Sequence, residues 1–386
     1  MTQKTPNILR VIVAGALVLL VVHTLGRFIY TPLLPWLVDD GVLTLKQGAD
    51  VASWNYLGYL LGALIAMRWY RLEQIHKILP WALAINVLST LLQTQAESAE
   101  ALSVLRLING VTNGIVFVQA PSLILEWLAR HGRATASGLV YLGVGVGLLV
   151  SSALVAVPAQ WLQGADRWWP AFLLSVPLAW WGWRQLAVLD IPPTVAAPIS
   201  SSGEPSTRLL DRASTPLFLS YAGAGLGYIL PMLASLQLPA GSFLIDGSWL
   251  LVALATLPAP WIWNKLGARI GDALALRLNY FLQFLGVLAV LLLPAAWGVV
   301  LCAILVGGTF LGTVLLTQRL ARTLHPHQGP RLSAALVALY GFTQLTGPWL
   351  TGLWLAANGT LQGAFWLGAG ALVWGLLWAL VVPEKS

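Results

Sequence analysis

The sequence predicts an all-α membrane protein: twelve transmembrane helices in two six-helix bundles, with both termini cytoplasmic. Three observations carry this expectation. Of the 386 residues, 58% are hydrophobic and only 9% charged, with a mean hydropathy of +0.78. A soluble domain carries about a quarter charged residues, so the composition excludes one, and it equally excludes a disordered chain. Apolar runs long enough to cross a bilayer recur along the whole chain, each needing roughly 20 residues. Finally, the 21 lysines and arginines fall almost entirely on one side of those runs.

Taken in order, the runs bounded by charge, Pro/Gly clusters or Asn/Asp lie at about 8–38, 49–70, 76–95, 99–127, 134–158 and 168–189. Six more follow at about 214–236, 247–266, 273–294, 296–319, 331–356 and 362–382. The first is too long for a cleaved leader and lacks a small-residue cleavage site. Between the sixes, residues 190–213 contain IPPTVAAPISSSGEPSTR, the one long Pro/Ser-rich polar stretch. The expected units are therefore an N-terminal bundle at 1–189, a cytoplasmic linker at 190–213 and a C-terminal bundle at 214–386. With both ends inside, 17 of the 21 basic residues face the cytoplasm, two (Lys46 and Arg167) face outward, and Arg27 and Arg106 lie within spans. This is the positive-inside bias, so the formal charge of +7 reports topology and nucleic acid is not an expected partner. A lone cysteine, Cys302, excludes an intramolecular disulfide and any Cys-based metal site.

The two halves echo each other. Leu33-Leu34-Pro35-Trp36-Leu37 parallels Ile229-Leu230-Pro231-Met232-Leu233, and Ser53-Trp54 parallels Ser248-Trp249. Gly110-x-x-x-Gly114-Ile-Val parallels Gly308-x-x-x-Gly312-Thr-Val. The offsets of 196, 195 and 198 are nearly constant, as a duplicated six-helix unit requires.

These features carry a resemblance. The whole chain resembles the major facilitator superfamily of secondary transporters in its span number, 6+6 division and polar central linker. Arg106-x-x-x-Gly110-x-x-x-Gly114 matches that superfamily's fourth-helix motif. Gly26-Arg27-Phe28-x-Tyr30-Thr31-Pro32-Leu33-Leu34-Pro35 and Tyr340-Gly341-x-x-Gln344-x-x-Gly347-Pro348 are similar to its YbfB/YjiJ-type branch. Two departures stand out. The usual signature between spans 2 and 3 is reduced to Gly62…Arg68-Trp-Tyr-Arg71 without its Asp, and Gly143, Gly145 and Gly147 lack the proline of the antiporter motif. The resemblance implies a central cavity lined by spans 1, 4, 7 and 10, and a bacterial inner membrane as the location.

An ionisable side chain inside a bilayer is costly and needs a cavity or a partner. His23, Arg27, Tyr30 and Thr31 share one helical face by spacing, as do Arg106, Asn109, Gly110 and Asn113. No carboxylate lies in mid-span, so an anion from solution would relieve two buried guanidiniums, which suit carboxylates bidentately. The opposing reading has Arg106 bonded to helix carbonyls and Asn109, and Arg27 reaching Asp40 or Asp50. His23 is the one mid-span group that titrates near neutrality, which makes it the candidate proton carrier, against the plainer role of a neutral packed histidine. Tyr221, Tyr228, Thr309, Phe310, Thr313, Tyr340, Thr343 and Gln344 would form an uncharged aromatic and hydroxyl wall in the second half. Trp54, Asn55 and Tyr59 would extend it from span 2. Tryptophans at span ends (Trp69, Trp127, Trp161, Trp168, Trp169, Trp263 and Trp297) read as an interfacial belt, and the pair Gly58…Gly62 as a close helix approach. Gly225-x-Gly227 and Gly347-Pro348 read as bend points.

The expected substrate-binding residues are thus Arg27, Arg106, Tyr30, Asn109, Asn113, Trp54, Tyr59, Tyr228, Thr309, Tyr340 and Gln344. No nucleotide-binding loop, catalytic constellation or metal-ligand set is present in the sequence, so no enzyme, cofactor or metal is expected. The function expected is secondary active transport of a small organic solute, anionic or amphiphilic, by alternating access. Protons are an optional coupling partner, lipids the surroundings, and a monomer the expected unit. The alternative is a lipid or amphiphile flippase or multidrug exporter of the same fold.

Overall fold

The computed structural model of the chain describes residues 7–189, 209–229, 243–326, 328–357 and 359–383, and its regular structure among these is helical. Most of the expected linker and Pro231 lie outside the described residues.

Asn7 opens α1 (Ile8–Leu19) by accepting from the Leu9 N–H at 3.0 Å. This helix widens into a π-helical segment, Leu20–Phe28, and continues as α2 (Tyr30–Asp39). A Thr44/Gln47 capping box starts α3 (Leu45–Arg68), with the Gln47 N–H donating to Thr44 at 3.2 Å. Then come α4 (Leu72–Gln93) and α5 (Ala99–Arg130), the latter capped by Ser98. Short 3₁₀ segments at Ala134–Tyr141 and Gly164–Trp168 lead into α6 (Leu142–Ala156) and α7 (Trp169–Ala187). The second half contains α8 (Thr215–Ile229), α9 (Phe243–Thr256), α10 (Ala259–Ile270), α11 (Asp272–Leu292), α12 (Ala295–Leu324), α13 (Gly329–Ala356) and α14 (Leu361–Leu380).

One expected span differs. The run at 247–266 is broken between α9 and α10, because Pro258 and Pro260 have no amide hydrogen to continue a helical ladder. The Thr256 hydroxyl holds the broken end, donating to Val252 at 2.7 Å and to the Gly307 carbonyl of α12 at 3.0 Å. Seven helices among the described residues are long and apolar enough to cross a membrane. With 24 and 19 residues, α3 and α7 have the length, but charged and polar residues with tryptophan and tyrosine in α3, and tryptophan and Arg184 in α7, dilute their apolar character.

Packing follows residue size. Gly58 and Gly62 of α3 lie against Gly110 and Gly114 of α5, so closely that a Cβ on Gly62 would sit 3.0 Å from the Gly114 Cα and one on Gly58 equally near that of Gly110. Without side chains, the two backbones meet along a seam. Each half also carries a buried asparagine on its third helix that braces the fourth. Asn86 donates to the Asn109 carbonyl at 3.2 Å and to Thr112 at 2.9 Å. Asn279, 193 positions later, donates to the Thr309 carbonyl at 2.9 Å and accepts from Thr313 at 2.6 Å. Large apolar side chains such as Trp81, Leu92, Trp180 and Trp374 remain exposed on the outside, as a lipid-facing surface requires. Trp161 and Trp297 are exposed at helix ends, as expected. Trp127, Trp168 and Trp263 correct the belt reading: all three are buried. Packing claims them instead: Trp263 donates to the Gly308 carbonyl at 2.7 Å, Trp127 lies 4.1 Å from the His131 ring, and Trp168 stacks on Tyr30.

Beyond α2, Asp40 accepts from Arg167 at 2.5 and 3.0 Å and from the Gly164 N–H at 2.7 Å, clipping the two loops together. The Arg167 guanidinium, helped by that amide, holds the Asp40 carboxyl below its usual range. A depressed carboxyl contributes stability that is present above its unfolded value near 3.9 and lost as pH falls through the folded value. Unfolding temperature in detergent is therefore expected to drop below about pH 4 more steeply in the parent than in Asp40→Asn. Equal slopes would show that the clip contributes nothing.

Candidate functional site

The site begins with the π-helical segment. Its amide bonds reach five residues back, as in Ile29 N–H to the Thr24 carbonyl at 2.8 Å, which leaves carbonyls misaligned for ordinary helical pairing. Side chains satisfy them. The Thr24 hydroxyl donates to the Leu20 carbonyl, and Arg106, from α5, donates through Nη1 to the Gly26 carbonyl and through Nη2 to that of Arg27 at 3.0 Å. Gly26 admits this approach, because a Cβ there would press into Asn86 and Asn109.

The segment aims His23, Arg27 and Phe28 into a cavity between the two halves, with Tyr59 from α3 and Phe117 from α5. The opposite wall consists of Tyr221 of α8, Phe310, Leu311 and Val314 of α12, and Tyr340 and Gln344 of α13. The space is narrow, with room at its centre for about one water molecule. Arg27 is only 4% exposed. Its guanidinium donates to the Gln344 Oε1 at 3.0 Å and lies over the rings of Tyr59 (4.2 Å), Tyr56 (4.9 Å) and Phe28 (5.4 Å). These faces offset part of the desolvation cost of the charge. The Arg27 Nε has no protein partner among the described residues. Among the described residues, no acidic side chain lines the cavity. His23 is held at Nδ1, 3.1 Å from Asn113 Oδ1, and stacks on Phe117 with ring centroids 4.2 Å apart. Across the cavity, Tyr221 and Tyr340 stack at 4.7 Å.

Of the expected site residues, the structure brings together Arg27, Tyr59, Tyr340, Gln344 and His23, with Asn113 directly behind His23. Five are placed elsewhere. Arg106 is committed to the two carbonyls and lies over Tyr30 at 4.8 Å. Tyr30 donates to the Gly48 carbonyl at 2.9 Å, because the π-helical winding upstream shifts it off the Arg27 face. Asn109 donates to Ser89 at 3.1 Å. Thr309 donates to the Leu305 carbonyl at 2.6 Å. Trp54 is 43% exposed on the outside of α3. Tyr228 lies on α8 with its side chain outside the described residues. Phe117, Leu311 and Val314 escaped the sequence reading, because nothing in an apolar run separates a ring facing a cavity from one facing lipid. The i+4 spacing of Phe117 from Asn113 was the available signal.

At the end carrying the Arg-rich loops the halves touch. Arg322 of α12 meets Glu126 of α5 at 3.3 Å, Arg331 lies over the Tyr70 ring at 5.8 Å, and Gly138 abuts the Asn264 side chain. Glu126 also pairs with Arg130 at 3.5 Å.

Two helical halves enclosing a polar and aromatic cavity within apolar, membrane-length helices define a multi-pass membrane transporter of the major facilitator fold. The chain belongs to the family described as "Uncharacterised MFS-type transporter YbfB", which matches residues 19–380. The fold is shared with solved transporters at low identity. The human organic anion transporter MFSD10 (TETRAN) is 15% identical with a TM-score of 0.70, covering 97% of this chain and all of that one. A bacterial homologue of the iron transporter ferroportin, in an outward-facing state, is 15% identical with a TM-score of 0.69 over 97% and 98% of the two chains. The transporter FucP in its outward conformation is 12% identical with a TM-score of 0.74 over 97% and 99%. No curated protein sequence matches the chain.

Proposed function

We propose that the protein is a secondary active transporter that carries a small organic anion across a bacterial inner membrane by alternating access. The two moving bodies are residues 1–189 and 214–386, each with six membrane crossings, α9 and α10 together making one, and both termini cytoplasmic. The observation that carries the reading is a guanidinium sealed between the halves with no carboxylate among the described residues of the same cavity. A buried, uncompensated charge costs several kcal/mol, and an arriving anion offsets that cost where a cation or neutral solute does not. Arg27 is the anchor, Gln344 its partner across the gap, and Arg106 the brace that fixes the Arg27 backbone. His23, in contact with the cavity and held by Asn113, is the proton carrier if transport is proton-coupled. That MFSD10, which shares the fold, is an organic anion transporter is in keeping with this assignment.

The test is a thermal-stability screen of the full chain in detergent against organic acids, amines and neutral sugars at equal concentration. Organic acids alone are expected to raise the melting temperature. Equal stabilisation by amines or sugars would overturn the anion assignment.

A further inference from the structure

Resting on the organic-anion reading, the cavity's chemistry narrows the substrate further. We infer that the site selects a flat aryl monocarboxylate, its carboxylate on Arg27 and its ring between the two stacked aromatic pairs.

Charge sets the first limit. Among the described residues, Arg27 is the only Lys, Arg, Asp or Glu lining the cavity, so one negative charge is matched there. A dianion would bring a second, uncompensated charge into the same dry space, and a zwitterion would bring an ammonium with no carboxylate to meet it. Geometry sets the second limit. With the Arg27 guanidinium donating to its Oε1, the Gln344 amide occupies the place a carboxylate oxygen would take. An entering carboxylate replaces that oxygen on the guanidinium, uses the unpartnered Arg27 Nε as its second donor, and can accept from the displaced amide NH₂. The bond between the halves then runs through the substrate.

The walls set the third limit. The first half presents the His23–Phe117 stack, with interplanar angle 25°, and the second the Tyr221–Tyr340 stack at 22°. Two flat faces, one from each half, border a gap whose centre holds about one water. A planar ring parts those walls less than a puckered or branched body does. It also gains edge or face contacts with them that a saturated ring of similar area lacks. Two such contacts amount to about tenfold in affinity.

Titration calorimetry on the purified full chain tests this with benzoate, cyclohexanecarboxylate, phthalate, benzamide and benzylamine. Benzoate is expected to bind at least about tenfold more tightly than cyclohexanecarboxylate, and phthalate more weakly than benzoate. Phe117→Leu should bring the benzoate and cyclohexanecarboxylate affinities together. Tyr340→Leu is the second variant should Phe117→Leu fail to fold. Cyclohexanecarboxylate binding as well as benzoate, or no loss of preference in a folded variant, would overturn the aryl assignment and leave the anion reading standing. Benzamide or benzylamine matching benzoate would overturn both, as would the absence of binding by every compound.

Discussion

Gln344→Glu is expected to abolish organic-anion binding while leaving the protein folded. The substitution keeps the side-chain shape and places a carboxylate where the Oε1 already lies 3.0 Å from the Arg27 guanidinium. An internal ion pair would then occupy the anchor and neutralise the cavity. Arg27→Ala reaches the same loss by the opposite route, removing the charge itself. Loss of a charge-assisted pair in a dry site costs about 3–5 kcal/mol, more than a hundredfold in affinity. Arg106→Gln should behave differently: its guanidinium holds the Gly26 and Arg27 carbonyls, so it lowers the melting temperature before it changes ligand preference. Ligand-induced shifts in melting temperature, read beside the unliganded value, separate Arg106→Gln from the other two. A Gln344→Glu protein that still responds to organic acids would remove Arg27 from the site.

Gly62→Leu is expected to prevent folding altogether. Any side chain at this position must enter the Val111 backbone of α5, and neighbouring Gly58, Gly110 and Gly114 leave no slack for sliding. Overpacking a flexible core costs about 1–3 kcal/mol, but here the obstacle is main chain, which cannot change rotamer. Even Gly62→Ala should lower the melting temperature by several degrees. Gly370, which has open space around a Cβ, is the control, and Gly370→Ala should be silent. Size-exclusion profiles and melting curves in detergent decide between these outcomes. A monodisperse Gly62→Leu protein would mean that α3 and α5 are held apart.

The helical class, the family and the burial of Arg27 were legible in the sequence because each rests on a strong local signal. Apolar run length marks helices, Arg106-x-x-x-Gly110 marks the superfamily, and a guanidinium amid apolar residues marks a buried charge. The Gly58/Gly62 seam was legible too, since small residues four apart have few other uses. What could not be read was winding. Spacing places Tyr30 with Arg27 only if the helix is regular, and the segment from Leu20 to Phe28 is π-helical. The fate of Arg106 was equally hidden, because its partners are carbonyls, which every residue carries and no sequence displays. The cavity wall at Phe117, Leu311 and Val314 depends on which way an apolar face turns, and that is decided by tertiary packing.

Glu126 serves two arginines, one in its own half and one in the other. When Arg322 withdraws, Arg130 remains, so the carboxylate is never stripped of both partners. All three groups keep contact with solvent, their side chains 23–35% exposed, and such pairs contribute no more than about 1 kcal/mol each. In the proposed alternating-access cycle, such a fastening would tilt the populations of closed and open forms by only a few-fold. A latch that weak would set only a default, which under the proposed mechanism a modest gradient or a weakly bound solute would be enough to reverse.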